Sequence, residues 1–108
     1  MGRPSLAEKA FQAQVVALAR MQGWKVYHAH DSRRSEPGFP DLCMVRPPRV
    51  VYAELKTEAG KLRPEQVRWL EELKACPGVE TFVWRPADWE ELRGTLARKA
   101  AVWSAERG

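Results

Sequence analysis

The apolar and polar positions divide the chain into stretches of two different periods. From Ser5 onward, Leu6, Ala10, Phe11, Val15, Leu18 and Ala19 recur at helical spacing until Gly23 stops the run. Ser5 with Glu8 three residues later is the signature of a capping box, so a helix is predicted to open there and lay its stripe on a sheet. Period two then takes over. Trp24 to Ala29 reads as a first strand, Asp41 to Val45 as a second, and Val50 to Lys56 as a third, with Arg46-Pro47-Pro48-Arg49 as the turn between the last two. Pro64 suits a first helical position, and the helix from there to about Ala75 directs Val67, Leu70 and Leu73 inward before Cys76-Pro77-Gly78 ends it. Val79 to Arg85 is a fourth strand. A last helix is predicted to open at Asp88, with Glu91 completing a second capping box, and to run through Leu92, Leu96 and Ala100 toward Trp103.

The order is helix, three strands, helix, strand, helix. The hairpin of the second and third strands is antiparallel, whereas strand, helix and strand over residues 50 to 85 form a right-handed unit whose strands run parallel. An α/β fold follows, with a mixed central sheet flanked by helices.

The hairpin gathers charge where a strand would ordinarily carry apolar or neutral residues. Alternation puts Glu54 and Lys56 on one face, roughly 7 Å apart along the strand. If the turn has four residues, Val45 faces Val50 and Asp41 faces Glu54, with Cβ atoms about 5 Å apart. A loop one residue shorter or longer would send the two acids to opposite faces unless a bulge restored the register. Facing carboxylates repel unless a cation lies between them, and carboxylate and carbonyl oxygens suit magnesium or manganese; no His or Cys stands close enough to suggest zinc. The plainer alternative makes Glu54 and Lys56 a solvated strand face and Asp41 a turn residue after Pro40.

Composition narrows the partner. With 18 Lys plus Arg against 14 Asp plus Glu, a net charge of +4 and a pI near 9.4, the chain favours a polyanion. The 108 residues suffice for one domain, 1–108, but are few for enclosing a large substrate, and a dimer would supply further surface. Cys43 and Cys76 make neither a metal-ligand spacing nor a disulfide framework and read as reduced and structural. His28 and His30 are spaced to face the same way but have no further ligands nearby for zinc. Five tryptophans, Trp24, Trp69, Trp84, Trp89 and Trp103, fit core and edge packing, with one or two available for a dimer contact. No apolar run approaches the ~20 residues that span a bilayer, and the first residues hold no apolar signal core, so no membrane partner and a cytoplasmic location are expected.

Gly38-Phe39-Pro40-Asp41 followed by Glu54-Leu55-Lys56 resembles the signature of the PD-(D/E)XK nucleases. Glu8 with Gln12 ahead of the hairpin, and Gly60-Lys61-Leu62 with Pro64-Glu65-Gln66 after it, narrow the resemblance to the VRR-NUC branch, over Glu8 to about Asp88. The resemblance implies a restriction-endonuclease-like αβββαβ core plus a C-terminal helix. It implies hydrolysis of DNA phosphodiesters with magnesium, for which manganese can substitute. The metal would be held by Glu8, Asp41, Glu54 and the Leu55 carbonyl, and Lys56 and Gln66 would complete the catalytic set of Glu8, Asp41 and Glu54. Glu8 therefore has two competing roles, since its own neighbourhood makes it a cap for Ser5. Gln12 of the first helix, Arg33 and Arg34 of the polar stretch before Gly38, and Lys61 and Arg63 of the basic loop after Lys56 are placed to touch the nucleic acid; the alternatives are an exposed helix residue for Gln12 and solvated loop charge for Arg33 and Arg34. A branched or structured duplex, such as a four-way junction resolved by a homodimer in repair or recombination, is the substrate implied. A nuclease fold kept only for DNA binding or assembly is the alternative. Clustered acids facing a polyanion argue against it.

Overall fold

The computed structural model describes residues 5–29 and 36–99. Helix α1 (Leu6–Met21) leads into strand β1 (Lys25–His28), followed by β2 (Leu42–Arg46), β3 (Arg49–Leu55), helix α2 (Pro64–Lys74), β4 (Val79–Trp84), a short 3-10 turn (Pro86–Asp88) and helix α3 (Trp89–Ala97). The four strands form one sheet in chain order, antiparallel from β1 to β3 and parallel between β3 and β4. The predicted α/β class, the mixed sheet and the parallel β3–α2–β4 unit are all present, and the arrangement is that of a restriction-endonuclease-like core.

The pleat of β3 sorts its side chains into two layers. Val51, Ala53 and Leu55 join Leu42, Met44 and Trp84 in a core with Phe11, Val15 and Ala19 of α1 and Leu92 and Leu96 of α3. Glu54 points to the opposite face, where Gln66 of α2 meets it. Trp24, just after α1, is buried in this core and donates its Nε1–H to the Leu96 carbonyl at 2.9 Å, which ties the start of the sheet to the end of α3.

The hairpin turn is tighter than its sequence suggests. Arg46 pairs with Arg49, so the loop is only Pro47-Pro48, joined by a cis peptide. Shortening the loop by one residue at each end preserves parity, and Val45 still faces Val50 as expected. Both arginines turn inward. Arg46 and Arg49 lie over the Trp24 ring, 4.7 and 5.0 Å from its centroid. Arg46 donates to the Gln22 carbonyl at 2.6 Å and to that of Arg98, while buried Arg49 donates to the Thr95 and Arg98 carbonyls at 2.9 and 2.6 Å and forms a two-pronged pair with Glu80, both contacts 2.7 Å. The carbonyls left open at the ends of α1 and α3 thus receive cationic donors, the pairing that the helix dipole favours.

Three helical expectations change. Leu6 is 86 % exposed and Ala10 is also exposed, so the buried stripe of α1 is Phe11, Val15 and Ala19. The apolar side chains of the first turn are left exposed among the described residues. Asp88 does not cap α3 with Glu91; its side chain accepts from the Arg85 amide at 2.9 Å, because the preceding residues coil into a 3-10 turn that needs that acceptor first. Helix α3 ends at Ala97, where Arg98 adopts extended geometry and its carbonyl is held by the two arginines; Ala100 and Trp103 lie outside the described residues.

Candidate active site

The segment Gly38-Phe39-Pro40 braces Asp41. Gly38 has φ +87°, and a Cβ there would stand 2.6 Å from the Glu65 carbonyl carbon and oxygen, so both its conformation and its contact with α2 require glycine. Phe39 sets its ring edge-on to Trp69 of α2 and Tyr52 of β3, with centroids 5.0 and 5.9 Å apart, and Pro40 is fully buried behind it. Asp41 then enters the sheet margin. Its carbonyl accepts from the Ala29 amide at 2.9 Å, and its Oδ2 accepts from the Leu55 amide at 2.8 Å. It stands one residue beyond the Leu42–Ala53 pair, opposite Glu54.

Glu54 is only 3 % exposed, which rules out the solvated strand face. Its Oε2 accepts from Gln66 Nε2 at 2.7 Å and lies 3.9 Å from Lys56 Nζ, while Oε1 is buried without a hydrogen-bond partner. Gln66 is oriented by its place in the first turn of α2. Its Oε1 reaches back to accept from the Arg63 amide at 2.8 Å, the capping-box geometry, which turns the NH2 group toward Glu54. Helix capping and site assembly are therefore one contact.

Lys56 is held at the end of β3 by its amide, which donates to the Trp84 carbonyl at 3.0 Å. The loop after it is pinned by Arg85, whose Nη1 donates to the Thr57 and Gly60 carbonyls, both at 2.6 Å. A Cβ on Gly60 would come within 3.2 Å of Thr57 Oγ1 and 3.4 Å of the Lys56 stem, so glycine lets the loop close over that side chain. Arg85 was not among the residues singled out from sequence. A strand-end arginine carries no motif, and only its contacts reveal the role.

The electrostatics follow from burial. Desolvation, and next the neighbouring Asp41 charge, push the Glu54 carboxyl from the usual 4.5 up to about 8, against the lowering influence of Lys56 and Arg63. Burial also raises Asp41, opposed by the Leu55 amide and Lys56 and reinforced by Glu8. Two desolvated carboxylates, one with an oxygen lacking any partner, form a place where a hard cation would satisfy what the protein leaves open.

Of the predicted site residues, the structure brings Asp41, Glu54, Leu55, Lys56 and Gln66 together. Glu8 is the N3 residue of α1, with its Oε1 accepting from the Ser5 amide at 2.9 Å and its own amide donating to Ser5 Oγ at 3.1 Å. The capping alternative therefore describes its contacts, although its charge reaches Asp41. Among the described residues, no three His, Cys, Asp or Glu side chains form a metal-binding group, so the protein donors gathered here are Asp41 and Glu54. Gln12 lies one turn after Glu8. Lys61 is exposed, and Arg63 is exposed on the rim in an ion pair with Glu65 at 3.1 Å. Arg33, Arg34 and His30 lie outside the described residues. Cys43 and Cys76 are free, and no helix among the described residues is long and apolar enough to cross a membrane.

The family model described as "VRR-NUC domain" matches residues 4–88, which span α1, the whole sheet and the elements that carry Asp41, Glu54, Lys56 and Gln66. No curated protein and no solved structure gives a significant match. The match covers most of the chain and the sheet margin carries the paired acids and lysine that the resemblance called for, so the chain belongs to the VRR-NUC family, a nuclease-type domain.

Proposed function

We propose that the chain is a magnesium-dependent DNA endonuclease, with manganese able to substitute, that hydrolyses phosphodiester bonds at the Asp41–Glu54–Lys56 cluster. The observation that carries this is Glu54 Oε1, a buried carboxylate oxygen without a partner, next to the half-buried Asp41 just ahead of the neighbouring strand. A structural role would have given that oxygen a donor; a ligand role leaves it open.

Asp41 and Glu54 would hold the ion from adjacent strands, with the Leu55 carbonyl alongside. When bound, a divalent cation supplies an acidified water and screens the charge of the scissile phosphate. Lys56 stands on the Glu54 side of the cluster as an ammonium that favours negative charge developing on phosphorus-bound oxygens. Gln66 fixes the Glu54 rotamer by donating to Oε2 while its own carbonyl is held by the start of α2. Leu55 does the same for Asp41 through its amide. Family membership supports DNA as the substrate. The preference for a branched duplex, the homodimer and a cytoplasmic setting belong to this proposal on the resemblance alone.

One observation favours a second reading, a nuclease fold that binds DNA without cutting it: Glu8 is occupied as a cap, and the described carboxylates stop short of a three-ligand group. Nicking of linear, flapped and four-way DNA, with magnesium or with a chelator, separates the two. Cleavage in magnesium that Asp41→Ala, Glu54→Ala and Lys56→Ala each abolish, with DNA binding in calcium retained, supports the enzyme. A wild-type protein that binds these substrates but cuts none of them in magnesium or manganese overturns it.

A further inference from the structure

A groove of about 350 Å³ runs between α1 and the edge strand β1, lined by Lys9, Gln12, Arg20 and His28 over small apolar side chains. Its charged side chains are all of one kind. The crevice lined by α1, Pro86 and Trp89 is apolar, with only Gln14 as a polar side chain, and the groove between α2 and β4 carries Glu71 together with Lys74. Among the described residues, no carboxylate forms an ion pair with Lys9, Arg20 or His28. Lys9, Arg20 and His28 are exposed, so the two cations and the imidazole are available to a ligand.

The groove is also aimed. His28 ends β1, and the next residue, Ala29, donates its amide to the Asp41 carbonyl. Lys9 follows Glu8, whose charge reaches Asp41. One end of the groove therefore lies near Asp41, and the other at Arg20. From Lys9 to Arg20 is about 16 Å along a helix, long enough to pass more than one phosphate of a strand.

We propose that this groove is the track for one nucleic-acid strand leading toward Asp41, with Lys9, Arg20 and His28 contacting backbone phosphates along it. It rests on the nuclease reading for its location but not for its measurement. A phosphate backbone is a line of anions, and the groove carries Lys9 and Arg20 toward its two ends, with Gln12 and His28 as further polar contacts and an uncharged, small-residue floor that lets the strand lie close. The contacts are to phosphate and carry no base preference.

The test is the salt dependence of binding to a defined DNA duplex in calcium, for the wild type, the double variant Lys9→Ala/Arg20→Ala, and Arg93→Ala, on α3 and outside the groove, as control. The double variant should lower the slope of log affinity against log salt by about 1.8, at about 0.9 per phosphate contact, while Arg93→Ala keeps the wild-type slope. In cleavage assays the double variant should raise KM more than it changes kcat. A slope unchanged in the double variant, or lowered equally in Arg93→Ala, overturns the track. The two readings fail separately. A wild type that cuts DNA with an unaltered slope in the double variant sinks the track alone, whereas a falling slope in a protein that never cuts sinks the nuclease and leaves the track.

Discussion

At the scale of single residues, the protonation of Glu54 governs the metal-free protein. Its carboxyl titrates at about 8 in the fold and at the usual 4.5 when exposed, so the native state keeps a proton that the unfolded chain has released across that window. Native protein then binds more protons than unfolded protein, and stability must fall as pH rises. The contribution is fully present below about 4.5 and is lost as pH climbs through about 8; Asp41, shifted the same way, adds to it. Chelated protein should therefore show a melting temperature that declines from pH 5 to pH 8.5, and Glu54→Gln should flatten that decline while removing activity. A profile that rises over the same range would show that the two acids are ionised and satisfied without a cation. The sequence disclosed these residues because period two and hairpin pairing are local rules. It did not disclose the burial of Glu54, which depends on Gln66 arriving from a helix twelve residues later.

At the scale of elements, the site is positioned by contacts that no motif describes. Gly38 was visible as part of Gly-Phe-Pro-Asp, but its reason is tertiary: a positive φ and a Glu65 backbone 2.6 Å from where a Cβ would be. Gly38→Ala should cost about 1–3 kcal/mol, read in urea denaturation, because an unfavourable backbone conformation is compounded by a clash with backbone rather than with a movable side chain. Its kcat should fall as well, since the same brace sets Asp41. The hairpin arginines read from sequence as turn residues; in the structure Arg49 is buried and donates to the last carbonyls of α3. Arg49→Ala leaves Glu80 nearly buried without its partner and removes donors from the Thr95 and Arg98 carbonyls, so a loss of about 3–5 kcal/mol is expected, larger than that of any rim arginine. A loss under about 1 kcal/mol would mean that the pair is solvent-screened despite its burial. Helix α3 was legible in type but not in its ends, because Asp88 was claimed by the 3-10 turn and Ala97 by arginines from a distant hairpin.

At the scale of the molecule, the topology was the most legible feature. Element order and connection lengths leave few ways to lay β3, α2 and β4, and the right-handed crossover selects one. Register was legible for the same reason, since the slip from a four-residue to a two-residue loop conserves parity and keeps Asp41 and Glu54 on one side. Assembly was not legible, because a dimer surface has no local pattern. Light scattering should give twice the 12.3 kDa chain mass if the small domain works as a homodimer, and a mass of one chain at assay concentrations would remove that part of the proposal.

The most direct test is crystallographic: crystals soaked in manganese, with diffraction recorded at the manganese edge. An anomalous peak between the Asp41 and Glu54 carboxylates, within about 2.0–2.4 Å of Glu54 Oε1 and absent in Glu54→Gln, is the expected result. Well-ordered side chains with no peak between them, or manganese bound elsewhere while the protein still cuts DNA, would contradict the paired-acid site.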